Sequence, residues 1–287
     1  MFEWDANGKY YLIREVGNEA EFHAIEEVQR EAWQFSDLDI VPAATLMATA
    51  HAGGCVLGAF DQDLMIGFAY GFLAFEDGRV SLHSHMLGVK PKYRNAQAGF
   101  YIKLAQRDFA LSRRIEEITW TYDPLQSLNA HLNFGKLGVI SERYIVNFYG
   151  EATSSPLHQG FGTDRLWVRW LITSHHVKTR IHRDKATAQT ANRVADLEAA
   201  VNSALVVNEA GQPRRADFAA RLADDSCMIE IPHDITALKQ RDPQSAVVWR
   251  EVTRAAFLAA IEAGFVVEDF LRADTESEPR WFYLLGR

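Results

Sequence analysis

The chain has 287 residues and a hydrophobic share of 48%, ample for a well-buried core, which excludes wholesale disorder. Its net charge of −8 argues against binding nucleic acid over a broad face. Two cysteines, Cys55 and Cys227, stand far apart and in no metal-ligand spacing, so they read as reduced, buried thiols of a cytoplasmic protein.

The opening stretch "MFEWDANGKYYLIREV" lacks an apolar core flanked by positive charge, so no signal peptide is expected, and a run such as "CVLGAF" is too short to cross a bilayer. "YYLIREV", residues 10–16, predicts a first strand. "NEAEFHAIEEVQREAWQF" follows as a helix, with Phe22, Ile25, Val28 and Ala32 at helical spacing and Asn18 or Glu19 near its start. "CVLGAF" and "LMIGFAYGFLAF", separated by the polar "DQD", predict a hairpin. After the turn "EDGR", "VSLHSHMLGV" adds a third strand, whose alternation puts His83, His85, Leu87 and Val89 on one face.

A helix from Gln97 to Arg114 places Ala98, Tyr101, Ile102, Ala105 and Phe109 together. "IEEITWTY" is the next strand, ending at Asp123-Pro124, and "SLNAHLNFGKLGV" a short helix stopped by Gly138. "RYIVNFYG" and "DRLWVRWLI" are strands on either side of the loop "EATSSPLHQGFGT". The order predicts an α+β fold around one sheet, forming a domain over 1–175. The basic, polar run at 176–192 is an exposed connector. Residues 193–287 contribute "ALVVNEAGQP" as strand and turn, "CMIEIP" as a strand, a helix from Pro243 to Ala263, and the strands "FVVEDFLR" and "WFYLLG". These are too few for an independent fold and are expected as a C-terminal α/β extension that extends or covers the first sheet. The Trp-rich strands read as sheet-face packing, with an acceptor pocket as the other duty open to them.

The chemistry concentrates in "VKPKYRNAQAG", residues 89–99. A helix start leaves backbone N–H groups unpaired and carries partial positive charge, so it favours an anion. Lys92 and Arg94 followed by the small residues Ala96, Ala98 and Gly99 let a phosphate come close to the backbone.

Val89, Pro91, Tyr93, Arg94 and Gly99 together resemble the acyl-CoA-binding motif of the GNAT acetyltransferase superfamily. Gln97 stands where that family usually has its first glycine. "NAHLNFGKLGV" resembles the family's second motif, and the element order from Tyr10 to about Ile172 is similar. The chain further resembles an uncharacterised bacterial branch carrying a C-terminal extension. The resemblance implies a GNAT-like mixed, mostly antiparallel sheet flanked by helices, with a V-shaped opening between the strands at 81–89 and 116–122. It implies that a pantetheine arm lies there as a false extra strand on the backbone of Leu87 and Val89. The pyrophosphate is then held by Arg94, Asn95, Ala96, Gln97, Ala98 and Gly99. Asn129 and Asn133 are implied at the pantetheine amides, with helix capping the other role open to Asn129.

The implied reaction is attack of a neutral amine on the thioester of acetyl-CoA or another acyl-CoA as co-substrate, so a base must take the amine proton. Counting back six positions from Val89, as the resemblance directs, gives His83, with His85 in reserve. The family's thiolate-protonating tyrosine corresponds to Phe134, so Tyr144, Tyr149 or water would substitute. The reading is an acyltransferase that moves an acetyl, succinyl or other acyl group to a small-molecule amine such as an amino acid, with a homodimer open as its assembly. Its rivals are a CoA-binding module without catalysis and a zinc-dependent hydrolase built on the His-x-His pair 83 and 85, which has no obvious third ligand.

Overall fold

The computed structural model describes residues 1–6, 8–76, 78–150, 161–182, 202–208, 211–215, 224–273 and 278–287. Residues 151–160 of the expected loop and 183–192 of the expected connector lie outside the described residues. Two compact units result: Met1–Trp120 with Leu171–Thr173, and Thr121–Trp170 with Ser174–Arg287. The passage from one to the other falls within the strand Glu117–Tyr122, inside the span 1–175. Among the described residues no helix is long and apolar enough to cross a membrane.

The first unit has the mixed, mostly antiparallel sheet flanked by helices that the resemblance implies. Its elements are β1 (Phe2–Ala6), β2 (Lys9–Glu15), α1 (Glu19–Trp33), α2 (Ala43–His51), β3 (Cys55–Asp61), β4 (Leu64–Glu76), β5 (Arg79–Val89), α3 (Ala98–Ser112) and β6 (Glu117–Tyr122). The strands lie in the order β1-β2-β3-β4-β5-β6. Every neighbouring pair up to β5 is antiparallel, as short hairpins allow. β5 and β6 are parallel, which needs a crossover, and α3 supplies it.

Helix α1 starts where its chemistry directs. Asn18 accepts from the Glu21 backbone N–H at 3.1 Å, while the Glu21 carboxylate accepts from Gly17 N at 3.0 Å and from Arg14 Nη1 and Nη2 at 2.8 Å each. Its buried stripe, Phe22, Ile25 and Val28, packs on Phe68 and Tyr70 of β4 and on Leu46 of α2. Neither β1 nor α2 is among the sequence expectations.

In the second unit α4 (Ser127–Ala130) runs on as a π-helical turn, His131–Leu137, and stops at Gly138, whose φ of +70° suits glycine. β7 (Ile140–Ile145) and β8 (Arg165–Leu171) form a hairpin pair, and α5 spans His175–Ile181. The strand expected at "RYIVNFYG" therefore begins earlier and ends at Ile145. Asn147, at φ +49°, turns the chain and donates its backbone N–H to Asp164. The C-terminal region adds β9 (Asn202–Ser203), β10 (Leu205–Val207), β11 (Pro213–Arg215), β12 (Ser226–Ile231), α6 (Ile235–Arg241), α7 (Pro243–Glu262), β13 (Val266–Ala273) and β14 (Arg280–Gly286). β13 bridges to β7 at Val267–Ser141, giving the order β8-β7-β13-β14-β12-β9. An aromatic core of Tyr122, Phe134, Phe257, Phe270 and Tyr283 fills this unit.

Candidate functional site

β5 serves two neighbours unequally. Against β4 it is paired from Arg79 to Val89, but it pairs with β6 at Leu82–Ile118 and His83–Thr119. Beyond those positions the strands separate. Lys90 N bonds Ile66 O on β4 at 2.9 Å, so by antiparallel alternation Gly88 also turns its backbone groups toward β4. Val89 and Leu87 then direct theirs to the other side, where β6 has parted.

A β-bulge lies at the same place. Tyr70 opposes Met86 and Gly71 opposes Ser84, leaving His85 as the extra residue. Gly71 permits this, since a Cβ there would stand 2.8 Å from the His83 carbonyl oxygen. The bulge overturns the expectation that His83, His85, Leu87 and Val89 share one face. His83 lies opposite Phe72, and after the extra residue Met86 and Gly88 take that face, packing toward α1. Ser84, Leu87 and Val89 lie on the α3 face instead, where Ser84 meets α3 side chains and Val89 adjoins Ile102.

After β5 the chain makes a 3-10 turn, Pro91–Ala96, that carries Arg94 and Asn95, and α3 then opens on Ala98 and Gly99. Gln97 between them is left-handed, with φ 57° and ψ 19°. That conformation is one glycine adopts without cost, so Gln97 holds it under strain. Trp4 Nε1 donates to the Ala96 carbonyl at 3.1 Å and fixes the turn from β1. Arg94 is exposed and donates to the Ala32 carbonyl at 2.8 Å. Lys90 pairs with Glu31 at 2.8 Å.

His83 is buried, its Nδ1 3.0 Å from Thr119 Oγ1 on β6, its ring beside Phe72. Burial, with His85 and Lys103 adding like charge, brings its pKa down to about 4. His85 keeps an exposed edge, packs its ring against Tyr70 and Phe72, and is also lowered by burial. The two rings lie 6.3 Å apart between centroids. Among the described residues no group of three or more His, Cys, Asp or Glu is placed to hold a metal ion.

Sequence reasoning missed Lys103. It is 4% exposed, its Nζ sits 3.6 Å from the centre of the Trp120 ring, and it donates to Ser84 Oγ at 2.9 Å. Ser84 Oγ donates in turn to Gln106 Oε1 at 3.0 Å. Desolvation lowers the Lys103 pKa to about 7. A signal was present in the helical spacing that puts Lys103 and Gln106 beside Ile102 and Ala105. Charged residues are so rarely interior that this face reads as solvated.

The remaining expected residues belong to the second unit. Asn129 is exposed and sits inside α4, whose N-cap is Gln126, so capping is not its role. Asn133 is buried, its carbonyl accepting from Val139 N. Phe134 is wholly buried among Tyr122 and Tyr283. Tyr144 donates its hydroxyl to Asp164 at 2.7 Å, and burial raises its pKa, which removes it as a ready proton source. Tyr149 is exposed in the turn after β7, with the Arg165 guanidinium 5.1 Å above its ring. This unit also holds a cavity of about 300 Å³ lined by Asn147, Phe161, Arg250 and Arg254. Arg250 pairs there with buried Asp123 at 2.7 Å, and Arg254 grips Asp164 with Nε at 2.7 Å and Nη2 at 2.9 Å.

Solved structures similar to this chain include the ribosomal-protein-S18-alanine N-acetyltransferase of Escherichia coli, at 13% identity and a TM-score of 0.46, over 57% of this chain and 95% of that one. The NatC complex bound to Gag peptide and CoA is similar at 14% identity and 0.46, over 56% and 98%. Aminoglycoside 6'-acetyltransferase type Ii is similar at 19% identity and 0.45, over 57% and 98%. No protein-family model matches the sequence, and no curated protein matches it.

Two outcomes follow from this geometry. Gln97→Gly relieves the left-handed strain and should raise unfolding stability by about 1 kcal/mol, read from the urea midpoint, whereas a drop would mean that the Gln97 side chain itself holds the turn. Because His83 has a folded pKa of about 4 against an ordinary 6.5, the unfolded chain takes the proton first. Stability is therefore complete above about 6.5 and is lost as pH falls toward 4. The melting temperature should decline over that window, less steeply in His83→Gln, and equal slopes would show that His83 is not a contributor.

Proposed function

We propose that the protein transfers an acyl group from an acyl-CoA to the amine of a small molecule, such as an amino acid or its derivative. The observation that carries this reading is the parting of β5 from β6 directly before a turn that opens a helix. A pantetheine arm presents two amides along an extended chain, so it can stand in for the missing strand and bond the backbone of Leu87 and Val89. Its pyrophosphate then lies at the N–H groups opening α3, close to Ala96, Ala98 and Gly99, with Arg94 and the backbone of Asn95 and Gln97 on its flank. The reacting thioester is thereby brought to the point of divergence, beside His83.

In this reading His83 takes the amine proton and His85 is the reserve. At neutral pH an imidazole with a pKa near 4 is unprotonated, so the base is ready without titration. The acyl group is acetyl or a larger one, dicarboxylic acyls included.

Acetyl-CoA or a related thioester at 100 times its dissociation constant should add roughly 2.7 kcal/mol of stability, read as a raised melting temperature. Gly99→Glu puts a carboxylate at the helix start and should abolish that shift with the unliganded melting point unchanged. No shift with any CoA species ends the reading. A shift without thiol release on pooled amines identifies a binding module instead.

With an amine that turns over, His83→Ala should lower kcat by roughly 10²–10⁴-fold with KM for acyl-CoA unchanged. The wild-type acid limb should sit near pH 4 rather than near the ordinary imidazole value. Retention of more than about half the turnover would make His83 a core residue.

A further inference from the structure

We propose that Lys103 is the proton donor to the CoA thiolate that leaves in this reaction, a role that rests on the acyl-transfer reading above. The position comes first. Ser84 and Trp120 are the next residues along β5 and β6 after the last pair, His83–Thr119, and Lys103 Nζ touches both. The ammonium thus lies at the point where the opening begins.

With the pyrophosphate at the turn after Val89, the arm runs back along β5 toward that point. Its dozen or so chain bonds match roughly four residues of extended backbone, and Ser84 is five residues from Val89. The sulfur therefore comes to rest near Ser84 and Trp120, on the strand stretch that Lys103 underlies.

The chemistry comes second. An ammonium has three donors, and Lys103 spends one on Ser84. Among the described residues no carboxylate pairs with it, a costly arrangement for a buried cation unless it has work to do. The titratable groups facing it are His83 on β5 and Cys55 on β3, and neither supplies negative charge at neutral pH. Its pKa of about 7 lies below the ~8.5 of a free thiol, so proton transfer to a thiolate runs downhill. Of the donors expected from the sequence, Phe134 carries no proton and the Tyr144 hydroxyl is committed to Asp164, which leaves Tyr149 and water as the competitors of Lys103.

The step balances. The amine nitrogen forms a bond to the thioester carbonyl carbon, and the C–S bond breaks with its electron pair on sulfur. Sulfur takes a proton from Lys103 Nζ, and the surplus amine proton passes to His83. The products are an amide and free CoA thiol.

The test uses Lys103→Met, which keeps the length and removes the charge, and Lys103→Gln as a second variant should the first fail to fold. Both should bind CoA as the wild type does, judged by thermal shift. With acetyl-CoA and a productive amine, kcat should fall roughly 10-fold or more with KM for acyl-CoA unchanged. The wild-type decline in kcat above about pH 7, where Lys103 loses its proton, should disappear. Independently of turnover, the thiol of bound CoA should titrate at lower pH in the wild type than in the variant, read by thiolate absorbance. Equal kcat, or equal thiol titration where CoA binds but no amine reacts, overturns the proposal and leaves acyl transfer standing. Failure of the wild type to bind any CoA species removes the acyl-transfer reading, and this role with it.

Discussion

The first unit depends on β5 keeping β4 and losing β6. Pairing to β4 continues to Val89 through the bulge, whereas pairing to β6 holds Leu82 and His83. A parallel ladder is somewhat weaker per residue than an antiparallel one, and the extra residue at His85 adds local twist. Twist that follows β4 must therefore carry the second half of β5 away from β6. Backbone groups at Leu87 and Val89 are then turned toward a place where the sheet no longer answers them, and backbone donors and acceptors away from water need partners. In the function proposed above, the amides of the extended pantetheine arm would answer these groups, and the turn leading into the helix start would meet its charged end.

The loop that follows is strained locally and supported from elsewhere. Gln97 pays for a left-handed backbone that glycine would adopt freely. Trp4 contributes the support. It stacks on Tyr11 at 4.7 Å and on Tyr101 of α3 at 5.4 Å while its indole N–H holds the Ala96 carbonyl. The first strand, remote in sequence, thus clamps the turn to the helix that the turn begins.

Much of this was legible in the chain itself. The cap at Asn18, the stripe Phe22–Ile25–Val28 and the polar breaks at "DQD" and "EDGR" are local signals, and local signals survive folding. Helix α2 was not legible, since Pro42 lends no side-chain cap and only Ala43 and Leu46 of its nine residues are buried. The bulge was invisible for another reason: alternation reads straight through "HSHMLGV", and only the pairing to β4 shows that one residue is extra. His83 was singled out because the family resemblance pointed to it. Lys103 was not, because the helical spacing that sets it beside Ile102 and Ala105 cannot show that Trp120 and Ser84 will close over it.

The placement of these two bases has an electrostatic consequence for the proposed chemistry. His83 and Lys103 approach the start of the opening from opposite faces of β5, and each charge makes the other less favourable. Before reaction the lysine holds a proton and the imidazole does not. After sulfur has taken that proton and the imidazole has received the amine's, the local charge is the same. A step that moves positive charge from one face of the strand to the other, without adding any, suits a site that is poorly solvated. With His83 near 4 and Lys103 near 7, the imidazolium is the stronger acid, so the proton left on His83 returns downhill to Lys103, directly or through water, and the pair resets itself.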